Sequence, residues 1–228
     1  MGASLAIHHH LPHDIDEYGS ADDVEVLLDE LRGQRTSQAR IIGLAHDLGD
    51  PAGAGAVINT ANAQLGHLDI LVCNHAHSGD TVSIHDATPE ALDRHWAVNT
   101  RATLLLTQAF AKQHDGRPGG RVIWMTSGQQ LGPMGDNLAY ATSKAALAGI
   151  TLSVAEDLAS SGVLLNTINP GPVNTGYLDQ APQHVVGAFP AGRLGEPDDP
   201  ARLIAWLVSD DGRWVVGQVL NSEGGFRR

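Results

Sequence analysis

The chain has 228 residues, enough to bury one substantial α/β core. Its formal charge of −12, with no run of five basic residues, excludes a general grip on nucleic-acid backbones. The single cysteine, Cys73, excludes an internal disulfide framework and fits a reducing cytosol. No uninterrupted apolar stretch approaches the roughly 20 residues that span a bilayer, and residues 1–13 carry histidines where a signal peptide needs an apolar run. The expectation is a cytoplasmic protein of one domain, residues 1–228, without nucleic-acid or membrane partners.

In chain order, residues 4–8 predict a short strand and residues 12–22 a polar loop. Residues 24–32 carry apolar side chains at helical spacing, and 39–45 predict a second strand that leads to Asp47. Pro51 stands early in a helix over 51–66, where its missing N–H costs little. The continuous apolar run 70–74 suits a strand buried on both faces. A long helix is expected over 89–114, and a buried strand over 120–126 follows the turn Pro118-Gly119-Gly120. Helix 139–160, strand 163–168, helix 201–209 and a short strand 218–220 complete the rhythm. Strands separated by helices of this length predict a doubly wound, Rossmann-like α/β fold with a parallel sheet. The stretch 174–200, rich in Pro and Gly, reads as a loop or lid over a site.

The sharpest local feature is Tyr140-Ala-Thr-Ser-Lys144. Positions i and i+4 of a helix share a face, so phenol and ammonium can share one pocket. A nearby ammonium favours phenolate over phenol, which would make Tyr140 a usable general acid for a carbonyl. Alone, the pair reads equally well as a half-buried tyrosine beside a solvated lysine. Its surroundings narrow the choice. Ser127 follows strand 120–126 at the end where open parallel sheets bind ligands. Asn99 lies within the helix 89–114, Asn74 ends strand 70–74, and Pro170-Gly171-Pro172-Val173-Asn174-Thr175 follows strand 163–168.

With these residues in this order, the run from Asp47 to the C-terminus resembles the classical short-chain dehydrogenase/reductase family, in particular its 3-oxoacyl-carrier-protein reductase-like members. The family's catalytic Asn-Ser-Tyr-Lys set maps onto Asn99, Ser127, Tyr140 and Lys144, with Ser127 and Tyr140 thirteen positions apart as in the family. Asp47-Leu48 resembles the pair that meets the adenine ring. Asn74-His75-Ala76 resembles the Asn-Asn-Ala-Gly turn beside the cofactor, with His77 replacing its glycine. Pro170, Gly171, Val173 and Thr175 match the segment that holds the nicotinamide carboxamide, and Gly217 to Gly225 resembles the final strand and its Gly-Gly turn.

The resemblance implies hydride transfer between NAD or NADP and a small-molecule carbonyl or alcohol. Tyr140 would exchange the proton, Ser127 would hold the substrate oxygen, and Lys144 would act on Tyr140 and the nicotinamide ribose. Asn99 would disrupt its helix locally and position a water that relays protons to Lys144. It further implies a homodimer or homotetramer built through helices 89–114 and 139–160 and the last strand. Gln129 and Tyr177, with Gln130, Leu131 and Phe189, are expected at the substrate entrance, or else are ordinary loop surface.

One part of the family's pattern has no counterpart. The glycine-rich turn Thr-Gly-x-x-x-Gly-x-Gly is absent, and residues 2–8 resemble the family's second strand, so the first β-α unit is missing. That strand belongs in the middle of the sheet. Either the natural chain starts further upstream, which is the preferred expectation, or the first and third remaining strands close up in an order like 2-1-3-4-5. Either way, dinucleotide binding should be weakened. Where an acidic or basic residue would choose between NAD and NADP, the chain has His8-His9-His10. Protonated, these could contact a 2′-phosphate, which favours NADP; equally, they are strand-end residues without special duty. Adjacent strand residues alternate faces, so the three do not make a metal site. His67, His75, His77 and His95 show no ligand-like grouping, and no metal is expected. Two other readings stay open: a non-catalytic remnant or scaffold unable to hold a dinucleotide, and a dehalogenase-like relative, against which Lys144 speaks because those relatives carry Arg there.

Overall fold

The computed structural model describes residues 2–21, 23–35, 38–176 and 183–227. Its strands, all paired in parallel, are β1 (Leu5–His9), β2 (Ile41–Ala45), β3 (Ile70–Cys73), β4 (Gly120–Met125), β5 (Val163–Asn169) and β6 (Val219–Asn221). Between them run α1 (Leu11–Tyr18), α2 (Val24–Gln34), α3 (Gly53–Leu65), α4 (Pro89–His95), α5 (Ala102–Gln113), α6 (Leu138–Ala159), α7 (Gln183–Gly187) and α8 (Asp198–Leu207). This is the expected Rossmann-like α/β fold.

The expected 12–22 loop is instead α1 over most of its length. Pro12 suits its first turn, and Gly19 at φ 75° ends it by donating its N–H to the Ile15 carbonyl. Asp23 caps α2 by accepting from the Glu25 N–H, and Thr88 caps α4 by accepting from the Ala91 N–H. α3 begins hard against the backbone that leaves β2. A Cβ on Gly53 would stand 2.0 Å from the Asp47 carbonyl oxygen, so only glycine fits. The irregular 174–200 stretch holds α7 and the first turn of α8. By length and composition alone α6, at 22 residues, could cross a membrane, but Lys144, Glu156 and Asp157 interrupt its apolar stretch. It packs along β5 and buries Lys144.

The sheet is in two pieces: β1 pairs with β2, and β3-β4-β5-β6 form the rest. The closed order in which the first and third strands pair is therefore not adopted. β4 shows what a full set of neighbours does. Val122 and Trp124 face one cluster with Phe110, Leu147 and Leu165, while Ile123 and Met125 face another with Ile168 and Leu207. Alternate side chains thus serve helices on opposite faces of the sheet.

β3 lacks that cover. Leu71 and Cys73 point into the first cluster, but Ile70 is 45% exposed and Val72 39% exposed. The continuous apolar run predicted burial on both faces, and one face is bare. By register Val72 sits beside Ile123, over which α8 packs through Leu207; β3 has no such helix among the described residues.

Candidate functional site

The carboxyl end of β4 meets the first turns of α6. Lys144 is buried, and its Nζ donates to the Met125 carbonyl at 3.0 Å. Thr126 Oγ1 donates back to the Lys144 carbonyl at 2.9 Å, which fixes the helix against the strand end. Lys144 Nζ lies 5.8 Å from the centre of the Tyr140 ring, so the i, i+4 pair does share one pocket. Burial pushes the Lys144 ammonium down to about 8 from its ordinary value, against a small opposing pull from Cys73. Burial also pushes the Cys73 thiol up to about 12, so this cysteine is protonated and inert at neutral pH. Ser127, half-buried and in extended backbone, follows Thr126 directly.

Asn99 sits where the long predicted helix loses its register. Residues Trp96–Arg101 form a π-helical turn between α4 and α5, with the Ala102 N–H reaching back to the Ala97 carbonyl. This is the local disruption expected of Asn99. Its side chain is wholly buried and fully employed. Oδ1 accepts from the His77 N–H at 2.6 Å, and Nδ2 donates to the His77 carbonyl at 3.1 Å and to Ser143 Oγ at 2.9 Å. The Asn99 carbonyl accepts from Thr103 Oγ1 at 2.8 Å. Asn99 therefore clamps the turn after β3 onto α6 at Ser143, the residue before Lys144.

A cavity of about 810 Å³ opens beside this cluster, at the carboxyl ends of β1, β2 and β3. Of the residues matched to the cofactor pattern, Asp47, Leu48, Ala76 and Thr175 line it. Asn74, Tyr140, Lys144, Pro170, Gly171 and Val173 do not. Asn74 is exposed at the end of β3. Gly171, at φ 66°, packs so closely on Glu223 that a Cβ would clash, and its N–H donates to Asn169 Oδ1 at 3.1 Å. Val173 pairs with Gly195 and so directs the chain toward Thr175. Gln129 is held by the strand end, its Nε2 donating to Thr126 Oγ1 at 3.1 Å, while its Oε1 is buried without a partner. Tyr177 lies outside the described residues. Phe189 is buried against Phe226, with ring centres 4.7 Å apart, and is a packing residue.

Six imidazoles line the cavity, His8, His9, His10, His13, His75 and His77, beside the carboxylates of Asp14 and Asp16. The run His8–His10 was legible as a feature, but the other three were not, because α1 and the β3 turn bring them there. His9 Nδ1 and His13 Nε2 are buried and unpartnered. Burial pushes His75 down to about 3 and His77 down to about 4, so both are neutral at physiological pH. A dinucleotide fits this wall in size, since such pockets run to roughly 300–1,000 Å³. It also fits in chemistry, because the orphaned imidazole nitrogens need polar partners. Asp47, Leu48 and Thr175 are part of this wall, but no glycine-rich turn is present among the described residues.

His77 and His95, eighteen residues apart in sequence, are the largest departure from the expected absence of a histidine grouping. With Asp80 they offer ligand atoms all within 4.8 Å of one another. Nothing in their spacing announces it, because the π turn and the Asn99 clamp create the proximity.

Comparison with known proteins gives a consistent set of likenesses. The family model described as Enoyl-(Acyl carrier protein) reductase matches residues 13–227. The chain is 42% identical over 186 residues to the "Uncharacterized oxidoreductase YjdA" of Bacillus subtilis, covering 80% of this chain and 73% of that one. A short-chain dehydrogenase/reductase from Serratia marcescens superposes with a TM-score of 0.85 at 28% identity, over 99% of this chain and 88% of the other. A blue fluorescent protein from a metagenomic library, solved in complex with NADPH, superposes with a TM-score of 0.83 at 29% identity, over 99% and 88% of the two chains.

Proposed function

The chain belongs to the short-chain dehydrogenase/reductase family, and on that premise we propose that it moves a hydride between NAD(P)(H) and a small carbonyl/alcohol pair, with Tyr140 exchanging the proton. The observation that carries this reading is the buried Lys144 ammonium, 5.8 Å from the Tyr140 ring at the carboxyl end of β4. Asp47, Leu48, Ala76 and Thr175 would hold the dinucleotide, whose nicotinamide would supply or accept the hydride.

In reduction, the Tyr140 hydroxyl donates its proton to the substrate oxygen, and Lys144 stabilises the phenolate left behind. One Lys144 N–H is committed to the Met125 carbonyl, which aims the ammonium and leaves two donors for the phenol and a ribose. The Ser127 hydroxyl donates to the same substrate oxygen and holds the carbonyl for attack. Asn99, by clamping His77 and Ser143, keeps the cofactor-side turn fixed on the helix that bears Tyr140. The unpartnered Gln129 Oε1 is a candidate acceptor for a polar substrate group. Ketones, including 3-oxoacyl thioesters, sugars and steroids, remain within the class.

The preference for NADP rests on His9 and His13, which line the cavity and each carry a buried ring nitrogen without a partner, which a phosphate would satisfy. Assembly as a homodimer or homotetramer rests on the groove between α5 and α6, lined by Leu104, Ala111, Val154 and Leu158, and on the exposed Leu152 of α6. The single domain and the cytosolic setting belong to the same reading, and the free buried thiol of Cys73 is consistent with the latter.

Tyr140→Phe is the test. Turnover of a reducible ketone should fall by about 10²–10⁴-fold, the range for general acid–base catalysis. NADPH affinity, followed by fluorescence titration, should change by less than about twofold. Retained turnover removes Tyr140 from its role. A parent chain that binds neither NADPH nor NADH replaces the enzyme reading by a scaffold.

A further inference from the structure

We propose that His77, Asp80 and His95 form a site for a divalent transition-metal ion of the zinc type, between the turn after β3 and α4. Asp80 and His95 have no part in the hydride-transfer reading, and His77 touches it only as a wall residue of the cofactor cavity held by Asn99.

The donor set is chemically matched. Two imidazoles and one carboxylate suit Zn²⁺, and three protein ligands leave a fourth position for water or another group. The tautomer of His95 is settled by its surroundings. Its Nδ1 stands 2.9 Å from the Ala91 carbonyl, which can only accept, so Nδ1 carries the proton and the Nε2 lone pair is available. That Nε2 belongs to a wholly buried side chain and has no hydrogen-bond partner. The same arrangement, one ring nitrogen donating to a backbone carbonyl and the other left without a hydrogen-bond partner, is how metal-binding histidines are oriented.

His77 contributes a second buried, unpartnered Nε2, 3.8 Å from Asp80 Oδ2. Asn99 grips the His77 backbone at both its N–H and its carbonyl, so the residue's position is held before any ion arrives. Asp80 also accepts from Arg94 Nη2 at 2.8 Å, an outer partner of the sort that orients ligating carboxylates. Ligand atoms of a tetrahedral zinc site stand about 3.4 Å apart. The present group, all within 4.8 Å, reaches that spacing by small side-chain movements. His13, whose ring centre is 4.6 Å from that of His77, stands beside the group as a source of a fourth ligand.

The alternative is a stack of neutral rings, since His77 and His95 also meet edge to face with centres 4.6 Å apart. That reading leaves both Nε2 atoms buried without partners, a cost that one ion removes from both. Bound there, the ion would tie the turn that Asn99 clamps to the helix that presents His95, whose ring centre is 6.5 Å from that of Tyr140.

Titration of the metal-free chain with Zn²⁺ by calorimetry, and with Co²⁺ by visible absorption, tests the site. One ion per chain is expected, with Co²⁺ ligand-field bands and a raised unfolding midpoint. His77→Gln and Asp80→Asn, at partly exposed positions, should each weaken binding by at least about tenfold. His95→Gln, at a fully buried position, should abolish it if the variant folds. The combined change His8→Gln, His9→Gln and His10→Gln should leave the stoichiometric site intact. Absence of binding, unchanged binding in Asp80→Asn and His77→Gln, or loss in the triple variant alone each overturns the proposal. X-ray absorption on the unmodified protein with Co²⁺ adds an independent reading, and fewer than two imidazole ligands also overturns it.

Discussion

The two pieces of the sheet differ in how completely their strands are covered. β4 and β5 have a neighbour on each side and helices on both faces, and nearly every residue in them is buried. β1 and β2 have only each other, with burial limited mainly to Ile41 and Leu44. The Tyr140–Lys144 pair rests on the complete part, whereas much of the cavity wall comes from β1, α1 and the turn after β2. The proposed chemistry is anchored where packing is deepest, and the proposed ligand cavity lies against the part that buries less.

Truncation at the centre of the complete part should have the largest effect. Trp124 is fully buried and donates from Nε1 to Thr107 Oγ1 at 2.9 Å. Trp124→Ala should cost about 3–5 kcal/mol, lowering the denaturation midpoint measured by every probe together. Leu44→Ala, in the lesser piece, should cost about 2 kcal/mol, the low end for such a change because its surroundings can collapse. Its effect should be confined to the amides of β1 and β2, seen as faster hydrogen exchange there while β4 and β5 stay protected. Equal acceleration in all strands would show that the two pieces unfold as one.

Lys144 gives a pH-dependent version of the same contrast. Its ammonium titrates near 8 when folded and near 10.5 in the open chain, because burial disfavours the charge. Between those values the unfolded chain holds the extra proton, so stability rises with pH, by roughly 3 kcal/mol across the window at most. Below about pH 8 both states are protonated and the burial cost is borne in full. Lys144→Met should therefore raise the midpoint at pH 7, flatten the rise between pH 8 and 10.5, and abolish turnover. A slope unchanged by the substitution would assign the titration elsewhere.

The same contrast explains what could be read in advance. Asn99, Ser127, Tyr140 and Lys144 were legible because helix periodicity and the carboxyl ends of buried strands are local signals, and β4 and β5 obey them. α1 leaves little trace in the sequence because Leu11 and Ile15 give it only a thin apolar face among acidic and histidine residues, and Gly19 suits a loop as well as a helix stop. The exposed face of β3 was missed because an apolar run reports what a strand can bury, while the helix that would cover it is a matter of tertiary structure. The convergence of His77 and His95 has no periodic signature, since it depends on the π turn at Asn99.

The smallest expected effect tests that bare face most directly, by making one substitution in two neighbouring strands. Val122→Thr replaces a fully buried methyl of β4 by a hydroxyl inside the first cluster, where no polar partner awaits it. It should cost about 1–3 kcal/mol. Val72→Thr makes the same exchange on the adjacent strand, at a side chain that is 39% exposed. There the hydroxyl reaches water and threonine keeps the β-branched shape, so the change should stay within about 0.5 kcal/mol. The pair is best measured at several protein concentrations, because a neighbouring polypeptide laid over Ile70 and Val72 would make the second substitution as costly as the first. Equal costs that grow with concentration would mean that the bare face of β3 is covered by another copy of the chain in solution. Equal costs independent of concentration would mean that the chain itself covers it.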